Sequence, residues 1–353
     1  MLPGPSLPLA ILAGRADDMR AEIMVRISDC RMGGGPLHLT GTLVGPRRGR
    51  DMTLPTTVKL VDVTGDHATA ADAGQALARA VFTEPAYWTP ELPNLYRLQA
   101  EVQRGDQTVA VVDRMVGLRR LGVRGRSLWL EGRRWVPRGV TVSPTGFDPI
   151  SLRSLPAAAV ISDPSDAICA AADQAGVAII ARVVDADGAS LDAAWARGRI
   201  AAWAVHPSVV LAVVPRTTHP EETAAIVAAV RPLKGTMLVG LEVDGTQPPD
   251  AVPAAIVGGV DCIIVDLPCD GLPHDGWRFG SPWGTDKPLV AQWAVAAGNT
   301  AEHRQECDRL QAALAAWGCG QGTANLPWDW AGYSVSGSRG DGALGSHERD
   351  ARS

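Results

Sequence analysis

The pattern of apolar and polar residues changes about a third of the way along the chain. Before that point the two alternate singly. Ile23, Val25 and Ile27 are interleaved with Met24, Arg26 and Ser28, and Tyr96 to Val102 is apolar and polar in strict alternation. A period of two puts one face on a core and the other in water, so these segments are half-buried strands. Leu37 to Val44 and Thr57 to Val63 are further β-rich runs bounded by Gly, Pro or Asp. Gly105-Asp106 turns the Tyr96 strand into another at Thr108 to Val112. About six strands with turns at short spacing predict an antiparallel, immunoglobulin-like β-sandwich. Residues 64–76, rich in Ala and Asp, are expected to form a long loop or a short helix.

From Trp135 onward the apolar residues come in continuous runs separated by helical segments. The runs are Trp135 to Val142, Ala157 to Ile161, Val177 to Val184, Val209 to Val214, Met237 to Val243, Cys262 to Leu267, Pro288 to Trp293 and Gly322 to Trp328. Between them lie Ser165 to Gly176, Leu191 to Val205, Pro220 to Val230 and Thr300 to Trp317, which read as helices. Parallel strands buried on both faces give this alternation, and eight of them predict a reduced (β/α)8 TIM barrel. Pro248, Pro249 and Pro253 leave little room for a helix between the fifth and sixth strands. The expected organisation is a flexible 1–18, a sandwich over 19–120, the barrel over 121–335 and a disordered tail over 336–353. The fold class is therefore multidomain, β plus α/β.

Composition narrows the partners. The 353 residues carry 33 Lys and Arg against 38 Asp and Glu, a net charge of −5, so the basic surface of a nucleic-acid binder is not expected. No apolar run reaches the roughly 18 residues that span a bilayer, so no membrane partner is expected either. The six cysteines are scattered without C-x-x-C or zinc-finger spacing, which suits a reducing, cytoplasmic setting. The apolar stretch Leu7 to Gly14 leaves export as the alternative, although no basic segment precedes it. No phosphate loop, H-E-x-x-H or G-x-S-x-G occurs, so no cofactor or metal is expected. His206 and His219 are separated by a strand, not by a helical ligand spacing.

Particular strings carry a family resemblance. Trp88-Thr89-Pro90-Glu91-Leu92-Pro93-Asn94-Leu95-Tyr96-Arg97-Leu98 closely resembles a segment of glycoside hydrolase family 2, which contains β-galactosidases, β-glucuronidases and β-mannosidases. Val116-Gly117-Leu118-Arg119 and Leu130 to Val140 resemble the next two family segments, in order and at the right spacing. Asp163 to Val177, Trp203 to Leu211 (with His206-Pro207-Ser208-Val209) and Lys287 to Trp293 continue the likeness into the barrel. It covers about residues 20–333, so the family's N-terminal jelly-roll is not expected within these residues.

The resemblance implies a retaining glycosidase with two carboxylates about 5 to 5.5 Å apart. Its acid/base position, at the end of strand four, falls on Arg216 and Thr217, and its nucleophile position on Gln292 or Trp293. None of these can act so: arginine stays protonated and an amide is no carboxylate nucleophile. Arg182 stands where the family has a further glutamate. The expectation is a degenerate family member without its catalytic acids, serving as a carbohydrate-binding or protein-interaction scaffold. The alternatives are a glycosidase with relocated rim carboxylates, for which Glu242, Asp266 and Asp185 are the candidates, and a structural subunit of a larger assembly. Trp283, Trp293 and Trp328 are candidates for stacking on sugar rings. Partners are therefore a carbohydrate or another protein, and the sequence sets no oligomeric state.

Overall fold

The computed structural model describes residues 9–28, 37–49, 54–63, 75–184, 191–217, 219–233, 237–268, 271–278, 286–295, 298–319 and 330–337. Its first seven strands are β1 (Leu9–Ala16), β2 (Arg20–Ser28), β3 (Leu37–Arg47), β4 (Thr56–Asp62), β5 (Gln75–Thr83), β6 (Leu95–Arg104) and β7 (Gln107–Val116). All pair antiparallel, in the order β1-β2-β5-β4-β3-β6-β7. The strands form one continuous sheet curled on itself, where two separate sheets were expected. The hinge is β4, which pairs with β3 from Gly41↔Leu60 to Gly45↔Thr56 but with β5 only at Val61↔Arg79 and Asp62↔Ala78. Ile23, Val25 and Ile27 of β2 share one core with Leu39 of β3 and Leu98 of β6. Phe82 meets Tyr96 edge-on across it, ring centroids 4.9 Å apart.

Two segments depart from the sequence expectation. Leu9–Ala16, expected in a flexible lead-in, is an edge strand whose Leu9 and Ile11 pack on the core. Its apolar residues have a sheet face to cover, and residues 1–8 lie outside the described ones. Strand β5 was not foreseen, because Gln75-Ala76-Leu77-Ala78-Arg79-Ala80 has helical composition. Its small side chains Ala76, Ala78 and Ala80 are fully buried against the opposite half of the curl. Of the expected loop over 64–76, residues 64–74 lie outside the described ones.

A three-stranded sheet of β8 (Leu121–Arg124), β9 (Ser127–Leu130) and β10 (Arg133–Trp135) leads to the barrel. The hairpin predicted at Glu131-Gly132 is present, with φ of 51° and 71°, the left-handed pair a two-residue turn needs. The barrel strands are β11 (Arg138–Thr141), β12 (Ala158–Ser162), β13 (Ile179–Arg182), β14 (Val209–Val214), β15 (Leu238–Asp244), β16 (Cys262–Leu267), β17 (Leu289–Val295) and β18 (Trp330–Gly337). They run parallel and close as Gly139 and Val140 pair with Ser334 and Val335. The eighth strand is a correction: it was expected at Gly322 to Trp328, which lies outside the described residues, and is formed by Trp330–Gly337. Ser336 and Gly337, assigned to the tail, belong to it.

Outside the barrel lie α1 (Pro149–Ser154), α2 (Asp166–Ala175), α3 (Ala193–Trp203), α4 (Pro220–Val230), α5 (Ala254–Gly258) and α6 (Thr300–Cys319). Ser165 caps α2 by accepting from the Ile168 amide, and Gly176 ends it at φ 75°. Between β15 and β16 there is only a 3-10 turn, Pro249–Ala251, and the short α5, as the prolines predict. Both strand faces are apolar for separate reasons. Ile161, Ile179, Leu241 and Val265 pack outward with Ile200, Ile226 and Leu310 of the helices. Val160, Ile180, Leu211, Val213, Ile264 and Val290 fill the interior. Among the described residues no helix is long and apolar enough to cross a membrane.

Candidate functional site

Barrel chemistry is built at the carboxyl ends of the strands, where the last inward side chains meet. The apolar interior gives way there to polar residues. Arg182 ends β13 and reaches across to Glu242 of β15, its Nη2 donating to Oε2. The side chains of this ion pair are 16% and 5% exposed. Next in register, Asp244 pairs with Asp266 and Asp266 with Gln292 across β15, β16 and β17. Gln292 Nε2 donates to Asp266 Oδ1 at 3.0 Å, and the Gln292 residue is buried. Asp244 accepts from Arg216 Nη1 at 2.7 Å and from Thr246 Oγ1 at 2.6 Å. Burial pushes the Asp244 carboxyl up, but the Thr246 and Arg216 hydrogen bonds outweigh it and hold the group below its ordinary value.

The candidate residues are therefore divided among separate contacts. Glu242 and Asp266 are not brought opposite one another: Glu242 lies beside Ile264, and the partner of Asp266 on β15 is Asp244. The Thr217 hydroxyl donates to the His219 carbonyl at 2.7 Å beside Thr223 at the start of α4, and Thr217 lines one pocket with Arg216, Glu242 and Asp244. Of the two alignments at the end of strand seven, Gln292 faces the interior. Trp293 joins the outer layer, 8% exposed, with its indole N–H on the Pro268 carbonyl at 2.8 Å. Asp185, Trp283 and Trp328 lie outside the described residues. Sequence reasoning did not foresee that Asp244 would hold Arg216, nor that Ser334 would stand buried inside the barrel. Register decides both, and register is not written in strands that are apolar on both faces. Among the described residues no group of three or more His, Cys, Asp and Glu is placed to hold a metal ion.

Four of the strings that carried the resemblance converge elsewhere, on the junction of curled sheet and barrel. Trp88, fully buried, donates its indole N–H to the Asp173 carbonyl at 2.9 Å. The Asp173 carboxylate accepts from the Ser208 amide at 2.9 Å and from the His206 ring at Nδ1, 2.7 Å away. His206 Nε2 faces Asp166 at 2.9 Å and Arg114 of β7 at 3.3 Å. Arg119 enters from the sheet and donates to the carbonyls of His206 at 2.8 Å and Val209 at 2.6 Å. Burial pulls its guanidinium down to about 10, although Asp173 acts the other way. Two glycines are required by contact: a Cβ on Gly117 would lie 2.5 Å from Pro207, and one on Gly176 2.3 Å from the Pro90 carbonyl oxygen. These four motifs are thus joinery between two structural units.

Comparison with known proteins agrees with this division. The family described as Glycosyl hydrolases family 2 matches residues 16–119. No curated protein matches the chain. A Bacteroides uniformis β-glucuronidase superposes with a TM-score of 0.62 at 14% identity, over 94% of this chain and 45% of that one. A glycosyl hydrolase family 2 member from Bacteroides cellulosilyticus gives 0.64 at 15%, over 93% of this chain and 45% of its own. For a Ruminococcus gnavus β-glucuronidase the values are 0.60 and 13%, over 95% and 61%. At such identities the likeness is one of fold, and the chain spans about half the length of these proteins. Matched in sequence over its curled sheet and in fold over nearly all its length, the chain is a glycosyl hydrolase family 2-like protein.

Proposed function

We propose that this protein retains the framework of a glycosidase without its hydrolytic chemistry, and serves as a carbohydrate-binding or protein-interaction scaffold. The observation that carries the reading is the rim itself. Gln292 occupies an interior position in β17, one of the two positions to which the resemblance assigns the nucleophile, and it is bonded to Asp266. Arg182 neutralises Glu242 inside the mouth. A general acid must reach and exchange its proton with substrate, and the Glu242 carboxylate is occupied by the Arg182 guanidinium. Purified protein is expected to leave nitrophenyl β-galactoside, β-glucuronide and β-mannoside intact, while a glycan array reads out binding. Turnover above the uncatalysed rate that disappears in Glu242→Gln would overturn it.

One observation favours a second reading, hydrolysis by relocated acids. Asp244 and Asp266 are register partners on adjacent strands, and such strands lie roughly 4.8 Å apart, near the separation a retaining pair uses. Against it, each already has a partner, Arg216 for one and Gln292 for the other. Activity lost in both Asp244→Asn and Asp266→Asn, and kept in Glu242→Gln, would select this second reading.

A further inference from the structure

Positive charge is concentrated in one stretch of the chain. Residues 118–139 hold seven arginines and one acidic residue, Glu131, although the whole chain carries −5. Most of these arginines are engaged. Arg119 binds carbonyls at the junction, Arg120 pairs with Asp18 and Glu131, Arg126 with Asp286 and Arg138 with Asp308. Arg124 lies over the Trp129 ring, 4.4 Å from its centroid. Arg133 and Arg134 are exposed, and neither has an ion pair or hydrogen bond among the described residues.

Both belong to β10, an edge of the three-stranded sheet. Among the described residues β10 pairs only with β9, so its other side presents backbone N–H and C=O groups. Side chains alternate across such a strand. Arg134 shares the outer face with its register partner Trp129. Trp135 is paired with the fully buried Leu128 and packs with it against the barrel interior. Arg133, two residues from Trp135, is on that same side, at the exposed end of the strand. The two unpaired guanidiniums therefore flank the open edge from opposite faces.

That arrangement selects its occupant. A second copy pairing β10 against β10 would set arginine beside arginine, and like charges opposite one another are unfavourable. A glycan or a nucleic acid has no ladder of main-chain N–H and C=O groups to match the edge. An extended polypeptide has one, and two adjacent acidic residues on it point to opposite faces, one toward each guanidinium. We propose that β10 is a docking edge for an acidic, extended segment of another protein, which adds to the sheet as a fourth strand. The edge lies by the amino end of the barrel, opposite the rim, so hydrolysis at the rim would leave it standing and its failure would leave the reading of the rim intact.

Fluorescence anisotropy with the full chain tests it, the probe being a labelled peptide with two adjacent glutamates flanked by valines. Saturable binding is expected, weakening as salt rises from about 0.1 to 0.5 M. Glutamines in place of both glutamates should weaken it roughly tenfold. Arg133→Glu with Arg134→Glu should weaken the acidic peptide by roughly tenfold or more, with the far-UV spectrum unchanged because both side chains are exposed. The same variant should take up a peptide with lysines in the glutamate positions. A peptide N-methylated throughout keeps its carboxylates but has no main-chain donors for the edge, and should not bind. The assignment is overturned by no saturable binding, by equal binding of the glutamine or N-methylated peptide, by a charge-reversed variant that keeps the acidic peptide or refuses the lysine one, or by displacement with an equimolar single-stranded oligonucleotide.

Discussion

Arg182 and Glu242 show how much depends on a single pair at the rim. A buried ion pair gains little over an apolar pair of the same volume, but removing one partner strands a charge. Arg182→Met is expected to cost about 3–5 kcal/mol, and Arg182→Met with Glu242→Leu to recover most of it. Urea midpoints at unchanged slope would measure both, and a double variant no more stable than the single one would contradict the pairing. At this scale the sequence was informative about chemistry and silent about neighbours. That Arg216, Thr217 and Gln292 cannot replace catalytic carboxylates follows from side-chain type. That Arg216 meets Asp244, and that Gln292 instead of Trp293 faces inward, needed strand register and facing.

Among the elements, β18 and the turn after α2 are the most exposed to test. Ending the chain before Trp330 would leave β11 and β17 with open edges and remove the buried Ala331, Tyr333 and Val335. Such a chain should lose cooperative unfolding and near-UV signal, which thermal melts and circular dichroism would report. Gly176→Ala meets both a left-handed backbone and the Pro90 carbonyl, and a loss of roughly 1–3 kcal/mol is expected in chemical denaturation. Element type was legible wherever period or capping was strong. Val209–Val214, Cys262–Leu267 and Pro220–Val230 fall where the apolar pattern puts them. The failures share one cause: local composition competed with tertiary burial. The alanines of β5 prefer helix in isolation, and only an opposing sheet face makes them a strand.

For the molecule as a whole, the junction around His206 couples the curled sheet to the barrel. Asp173→Ala removes the acceptor of both the His206 ring N–H and the Ser208 amide, each orphan costing about 1–3 kcal/mol. Calorimetry should then show one transition splitting into two, and a single sharp transition at the same temperature would count against the coupling. Asp166 adds a pH dependence. Its partial burial raises the carboxyl, but His206 and Arg114 hold it below the ordinary 3.8. A depressed folded value stabilises above the unfolded one and is lost as pH falls through the folded one. The side chain is 77% exposed, so the effect is small: Asp166→Asn should narrow the stability difference between pH 6 and roughly pH 3, read from urea midpoints at each pH.

The sequence by itself determined the strand-rich beginning, the parallel barrel and the side-chain types at the positions that the resemblance aligns with the family's acids. These depend on side-chain periodicity and chemistry, which are local. Tertiary structure decided the single curled sheet, the place of the eighth strand, the Arg182–Glu242 and Arg216–Asp244 pairs and the convergence of the motif residues on the junction. Each of these depends on which strand lies beside which, and strands apolar on both faces carry no local mark of register.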